Sequence, residues 1–246
     1  MLTALLADIH ANREALSACL AHAKACEAER YVFLGDYVGY GADPGWAVDT
    51  VMAHAARGAV TVLGNHDAAV FDLTEEMNET AREAIAWTRG QLTEPQRDFL
   101  KSLPLTAEHG DRLFVHGGAA DPRRFDYVTS PAAAMRSFAA TQHHAIFCGH
   151  VHIPELYHFS ATGKLASFTP VVGTAIPLLP QRRWLAVIGS VGQPRDGVPA
   201  ASYALLDDAA GMLTYLRVPY DVESAAAKVR SAGLPPVLSI RLLQGH

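Results

Sequence analysis

Cysteine is scarce: Cys19, Cys26 and Cys148 are the only three in 246 residues. Three thiols make no disulfide framework and fit a reducing compartment, so a cytoplasmic location is expected. Cys19 and Cys26, seven apart on a helical stretch, read as two small buried side chains on one face rather than as a metal pair. Long apolar runs are lacking too. None approaches the roughly 18 residues of a membrane helix. Met1–Ala7 has no basic start and runs at once into Asp8 and His10, which excludes a signal peptide. Positive charge is in deficit, with 20 Lys and Arg against 25 Asp and Glu and a formal net charge of −5. That argues against a nucleic-acid-coating face, which would be basic. No Gly-x-Ser-x-Gly turn occurs, so the run His116-Gly117-Gly118 does not make a serine hydrolase. Gly39-x-Gly41-x-x-x-Gly45 misses the dinucleotide-binding spacing and reads as turn chemistry. No repeat, low-complexity segment or Pro/Gly/Ser-rich linker divides the chain. A single domain over residues 1–246 is therefore expected, with the motifs in residues 1–155, a hairpin-rich region over residues 156–220, and a C-terminal helix and tail over residues 221–246.

What the chain has in excess is histidine, twelve in all. The element pattern shows where five of them fall. Leu2–Ala7, Tyr31–Leu34 and Ala59–Leu63 read as short buried strands. Between them lie helical stretches from about Arg13 to Arg30, with Asn12 as N-cap, and from Asp43-Pro44 to about Arg57. Strand alternating with helix is the pattern of a parallel buried sheet. Helices follow at Glu79–Gly90, Pro95–Leu103 and Pro131–Gln142, with strands at Arg112–Val115 and Ala145–Cys148. From Glu155 the pattern turns to hairpins: Glu155–Phe159, Lys164–Phe168, Trp184–Ile188, Ser202–Asp207 and Met212–Val218. Val222–Ala232 reads as a short helix before a weakly specified tail.

The first strand ends in Asp8-Ile9-His10, the second in Gly35-Asp36, the third in Gly64-Asn65-His66-Asp67. Later strands end in His116-Gly117-Gly118 and Gly149-His150-Val151-His152. Ligand sites of open α/β sheets lie outside the carboxyl ends of the strands, so these groups aim at one region. In extended chain, residues i and i+2 point the same way, which brings Asp8 to His10 and His150 to His152. The donors are carboxylate, imidazole and amide, without thiolate. That set suits Mn, Fe, Co, Ni or Zn, with Mn or Fe favoured, and not a cysteine-rich structural zinc site. Glycines at 35, 64, 117, 118 and 149 allow close approach of backbone to a ligand. Each piece alone is commonplace; their joint occurrence in this order, each at a strand end, is not.

With these motifs the sequence resembles the calcineurin-like metallophosphoesterases. That family's ordered blocks read here as Asp8–His10, Gly35–Gly41, Gly64–Asp67, His116-Gly117 and Gly149–His152. The resemblance implies a four-layer α/β/β/α sandwich of two mixed sheets flanked by helices. It also implies two divalent ions: Asp8, His10, Asp36 and His152 hold the first; Asp36, Asn65, His116 and His150 hold the second, with Asp36 as the bridge. Two ions about 3.5–4 Å apart polarise a phosphoryl group and acidify a water for in-line attack. His66 matches the family's catalytic histidine, donating a proton to the leaving oxygen, and Asp67 orients it or neighbouring ligands. Asn12 and Arg13 are the candidate substrate-binding residues. Arg123 and Arg124 also suit phosphate, though each is more simply a solvated surface arginine.

Departures from the family pattern narrow the reading. Gly39-Tyr40 stand where the protein Ser/Thr phosphatase branch carries Asp-Arg, which disfavours a protein phosphatase. Ala11 replaces a glycine; it is expected to be tolerated, at little cost if its φ is negative and with strain if positive. The segments Ala11–Leu16, Gly39–Pro44 and Trp87–Arg89 resemble a bacterial subgroup of small cytoplasmic phosphoesterases. The implied partner is a small phosphate ester or nucleotide: a phosphodiester, phosphomonoester or dinucleoside polyphosphate. The alternative from another class is a non-catalytic metal-binding regulatory protein on the same scaffold. Trp184, Tyr203 and Tyr215 read as packing, and His143-His144 as the background pair to look for near the cleft.

Overall fold

The structure, a computed structural model, describes residues 1–74 and 77–246. In chain order its elements are β1 (Leu2–Leu6), α1 (Arg13–Ala25), β2 (Arg30–Phe33), α2 (Pro44–Ala55), β3 (Val60–Thr61), α3 (Asn65–Ala68), α4 (Glu79–Gln91), α5 (Glu94–Ser102), β4 (Thr106–His109), β5 (Arg112–Val115), α6 (Pro131–Ala140), β6 (Ala145–Cys148), β7 (Glu155–Ser160), β8 (Leu165–Phe168), β9 (Ala175–Pro177), β10 (Arg182–Val187), β11 (Ala201–Asp207), β12 (Met212–Val218), α7 (Val222–Ser231) and α8 (Pro236–Gln244). A 3₁₀ turn, Pro122–Arg124, precedes α6.

Two six-stranded sheets form, in the orders β3-β2-β1-β11-β12-β9 and β4-β5-β6-β10-β7-β8. Both are mixed. In the first, β1, β2 and β3 run parallel and β11 joins β1 antiparallel. In the second, β6 is parallel to β5 and β10, and β7 pairs antiparallel with β10. This is the expected pair of mixed sheets flanked by helices.

The period-2 alternation of strand side chains builds the layers. On β1, Leu5 faces the core between the sheets while Ala4 and Leu6 face the layer of α1 and α2, with Leu16, Cys19, Val48 and Val51. On β6, Ala145 and Phe147 join the core between the sheets while Ile146 and Cys148 pack on Ala134 and Phe138 of α6. A further cluster joins α7 and α8 to α4 and Tyr40, through Ala81, Ala84, Ala226, Val229 and Leu238. Trp184, Tyr203 and Tyr215 are buried, as packing residues should be. Among the described residues no helix is long and apolar enough to cross a membrane.

Several elements differ from the sequence pattern. The first helix stops at Ala25, not near Arg30, because Glu27 takes a left-handed φ of 61°. The tail carries α8, opened by Pro236 at its first position. The strands β4 and β9 were not foreseen, and β3 is only two residues long. Asn12 caps α1, accepting from the Ala15 amide at 3.1 Å. Asp43 stands at the N-cap position of α2, but its carboxylate accepts from Lys228 Nζ at 2.8 Å instead of capping.

Candidate metal centre

The candidate donors sit just beyond the carboxyl ends of β1, β2, β3, β5 and β6, and there they meet. Asp8, His10, Asp36, His116, His150 and His152 are all at most 6 % exposed. Three groups bring their ligand atoms within 4.8 Å of one another: Asp8, His10 and His152; His10, Asp36 and His66; and Asp36, His116 and His150.

Backbone carbonyls fix which imidazole nitrogens carry hydrogen. His10 Nδ1 lies 3.1 Å from Val38 O, His116 Nδ1 2.7 Å from Leu34 O, and His152 Nδ1 2.6 Å from Gln193 O. A carbonyl only accepts, so each Nδ1 must donate, and the neutral ring's Nε2 is left with a bare lone pair. Those bare nitrogens face acceptors. His10 Nε2 and His152 Nε2 are 3.0 Å apart. His116 Nε2 lies 3.2 Å from Asn65 Oδ1, 3.1 Å from His150 Nδ1 and 3.3 Å from Asp36 Oδ2. Asp8 Oδ1 is 3.4 Å from His152 Nε2. Lone pairs packed this way repel unless protons or cations lie between them. The donor set therefore fits divalent ions, and with neutral imidazole, carboxylate and amide it fits the borderline-hard metals.

The carboxylates are anchored for the same purpose. Asp36 Oδ1 accepts from the His66 amide at 2.8 Å, which leaves Oδ2 between His116 and His10, 3.3 and 3.7 Å away. Asp8 accepts from the His150 amide at 2.9 Å. Burial pushes Asp8 up to about 7, against the pull of His116 and with the help of the Asp36 charge. Burial acts the same way on Asp36, but the imidazoles of His116, His66 and His10 outweigh it and hold Asp36 well below the usual carboxylate range. Burial lowers His10 and His152 well below the ordinary imidazole range and His150 to about 3. His116 differs: burial pulls it down, yet Asp36 and Asp8 lift it to about 9. The field that holds a proton there would hold a cation in its place.

Backbone strain concentrates here. Among the described residues, nine non-glycines have positive φ, and seven of them are Asp8, His10, Ala11, Asp36, Tyr40, His150 and His152. Ala11, at φ 51°, thus carries the strained conformation rather than the relaxed one. Glycine serves where backbones touch. A Cβ at Gly64 would collide with Asp36 Oδ1, and one at Gly39 with His66 Nδ1.

His66 lies beside the cluster, its ring centroid 4.8 Å from that of His10 and 4.5 Å from that of Tyr40. Its Nδ1 is buried without a hydrogen-bond partner, next to Gly39. Burial lowers His66 to about 4 despite the opposing charge of Asp36. Asp67 does not orient His66. Its carboxylate is spent on the amides of Tyr37, Val38 and Gly64 at 2.8, 3.2 and 3.1 Å, so it braces the loop that carries Asp36. Of the two placements expected for Asp67, beside His66 or on a neighbouring ligand, its bonds run to the segment of the candidate ligand Asp36.

The candidate substrate-binding residues have partners within the protein. Asn12 is buried, and its amide is consumed by the Ala15 amide, Gly192 O and Tyr220 OH. Arg13 stacks 5.2 Å over the Trp46 ring. Arg123 and Arg124 line a cleft of about 490 Å³ with Asn65, Tyr127 and His150. His143 and His144 lie away from it, against Glu108 and Asp111. One residue that motif reading missed is Arg195, on the loop after β10, whose charge acts on Asp8, His10, His66, His150 and His152. The strand-end rule, extended to Gly189–Arg195, would have found it.

Comparison with known proteins agrees with this geometry. The chain is 33% identical over 249 residues to MJ0912 of Methanocaldococcus jannaschii, covering 99% of this chain and 98% of that one. Its fold matches a crystal structure of a metallophosphoesterase from Sphaerobacter thermophilus with a TM-score of 0.88 and 35% identity, over 100% of this chain and 99% of the other. The protein PH1004 from Pyrococcus horikoshii OT3 shares the fold with a TM-score of 0.77 at 19% identity, over 100% and 98% of the two chains. The family model of the calcineurin-like phosphoesterase superfamily domain matches residues 1–211. With its donors at the strand ends of two mixed sheets, this chain belongs to the calcineurin-like phosphoesterase superfamily.

Proposed function

We propose that this protein hydrolyses small phosphate esters, whether phosphodiesters, phosphomonoesters or dinucleoside polyphosphates, with two divalent ions held in the acceptor cluster. One observation carries the reading: imidazole nitrogens, carboxylate oxygens and an amide oxygen converge to 3.0–3.3 Å, where cations in place of protons would satisfy them all. Asp8, His10, Asp36 and His152 would hold one ion and Asp36, Asn65, His116 and His150 the other, with Mn or Fe favoured. When bound, such a pair polarises the phosphoryl group and lowers the pKa of a water for in-line attack at phosphorus.

The chain's own residues do the rest. Two carboxylates, Asp8 and Asp36, face four positive charges in this scheme, so the site keeps a net charge that draws in an anionic ester. His66 moves the proton, giving it to the leaving oxygen. Burial favours the neutral form of His66, and the negative charge of an arriving phosphate favours its protonation. Gly39 leaves room for the ring, and Asp67 holds the Asp36 loop in register. The free cysteines support a cytoplasmic location.

A turnover screen of the Mn²⁺-loaded protein tests the reading. It spans bis-p-nitrophenyl phosphate, p-nitrophenyl phosphate, diadenosine tetraphosphate, cyclic nucleotides and a phosphopeptide, with metal content measured in parallel. Turnover of a small ester with two metal equivalents is expected. His66→Ala should keep both equivalents and lose about 10²–10⁴-fold in rate, most with poor leaving groups. Full metal content without turnover of any compound would leave a binding protein, not an enzyme.

A further inference from the structure

The loop after β10 brings a charged group that none of the sequence blocks contains. It is fastened to the donors themselves. The Gly192 amide and Ser190 Oγ both donate to Asp8 O, at 2.9 and 2.8 Å. Gln193 O accepts from His152 Nδ1 at 2.6 Å, and the Arg195 amide donates to His152 O at 3.3 Å. A Cβ at Gly192 would overlap the Ile9 carbonyl, so the two backbones lie in direct contact. Arg195 therefore leaves a backbone that is bonded to two of the proposed metal ligands.

Its side chain has a neutral partner: Arg195 Nη2 donates to Gln193 Oε1 at 3.1 Å. The guanidinium carbon is 5.8 Å from the Tyr40 ring centroid. Asp196, the next residue, pairs with Arg217 instead. The Tyr40 ring locates the guanidinium: it packs on His10 and His66, with centroids 4.6 and 4.5 Å apart. The charge of Arg195 also acts on Tyr127, which stacks on His150 at 4.0 Å. Arg124, by contrast, is 70 % exposed and pairs with Asp126. A positive fork whose hydrogen-bond partner among the described residues is neutral keeps its charge for an anion, and a planar guanidinium matches two phosphate oxygens at once.

We propose that Arg195 is the phosphate-binding residue of this site, its guanidinium taking the non-bridging oxygens of the scissile phosphate from its place beside Tyr40, which packs on His10 and His66. This rests on the phosphate-ester reading above. It also gives the chain a guanidinium at Tyr40, where the protein phosphatase branch carries its own arginine.

The test uses the full-length Mn²⁺-loaded protein and inorganic phosphate as the probe, read by calorimetry and as an inhibitor of ester turnover. Arg195→Ala should weaken phosphate binding about 10–100-fold, the loss expected for a charged hydrogen-bonded pair, with metal content and melting temperature unchanged. Arg195→Lys should restore part of the binding, since a point charge lacks the fork. Arg136→Ala, which removes the same charge from the exposed face of α6, should bind phosphate as the unaltered protein does. Wild-type phosphate affinity in Arg195→Ala, or loss of metal from it, would overturn the assignment. If the unaltered protein turns over esters and binds phosphate while Arg195→Ala does so equally well, Arg195 alone is misassigned. If the unaltered protein does neither, the phosphate-ester reading falls and takes Arg195 with it.

Discussion

The two donor sets use the same residue types but are held differently. In the inner set, His10 and His152 are each locked by a backbone carbonyl through Nδ1, and both are at most 2 % exposed. In the outer set only His116 is locked this way. His150 is oriented by stacking on Tyr127, itself 54 % exposed, and together with Asn65 it lines the cleft of about 490 Å³. A ring fixed by a carbonyl offers its lone pair in one direction; a ring fixed by a stacked neighbour keeps more freedom. The inner set is thus the more rigidly held, and the outer one opens to the cleft through Asn65 and His150.

Four substitutions break or sharpen this contrast. Asp36→Asn strikes both sets, because Asp36 Oδ2 faces each. It should cost at least about 10³-fold in turnover, the scale of removing a whole electrostatic element, together with one metal equivalent or more by elemental analysis. Full activity with full metal content in that variant would dissolve the shared-carboxylate assignment. Next come His152→Ala and His150→Ala, compared side by side. Each should lose at least about 100-fold in affinity for one ion, more than the loss of a group that merely supports a ligand. Metal titration should show His150→Ala recovering at raised Mn²⁺, while His152→Ala also melts lower because Gln193 O loses its buried donor. Equal behaviour of the two would erase the distinction between inner and outer sets. The smallest effect is expected from Ala11→Gly. Relief of the left-handed strain is worth about 1–2 kcal/mol, and glycine's extra unfolded-state entropy costs back about 0.5–1 kcal/mol. A gain of about 1 kcal/mol in denaturant unfolding, with turnover unchanged, would show that this strain is stored rather than used.

Much of the donor cluster was legible because it obeys a local rule. Asp8, Asp36, Asn65, His116, His150 and His152 each follow a short apolar run, and strands aim such ends at one place. Arg195 escaped because arginine is not a ligand type and Gly189–Arg195 follows a strand read as part of a hairpin region. Asn12 was recognised as a cap, and the structure adds two further partners for its amide, Gly192 O and Tyr220 OH, that the sequence did not suggest. The first helix overran because no glycine marks its end; Glu27 adopts the left-handed turn unaided. The helix α8 was missed because its apolar face, Leu238 and Leu242, is too short to declare itself before α7 completes the cluster. Ala11 shows the limit from the other side. Its presence in a glycine position was visible in the sequence, but only the backbone reveals that φ is positive.

The pairing of β1 with β11, Leu2 opposite Asp207, has a consequence in time. The strand that leads into Asp8 is made about 200 residues before its antiparallel neighbour. At 5–20 residues per second that is roughly 10–40 s during which the first strand has β2 on one side and an open edge on the other. The loop that fastens Asp8 to His152 also belongs to the late arrivals. Nascent chain ending near residue 155 would carry all five sequence blocks and still lack the strands and loop that close the site around them.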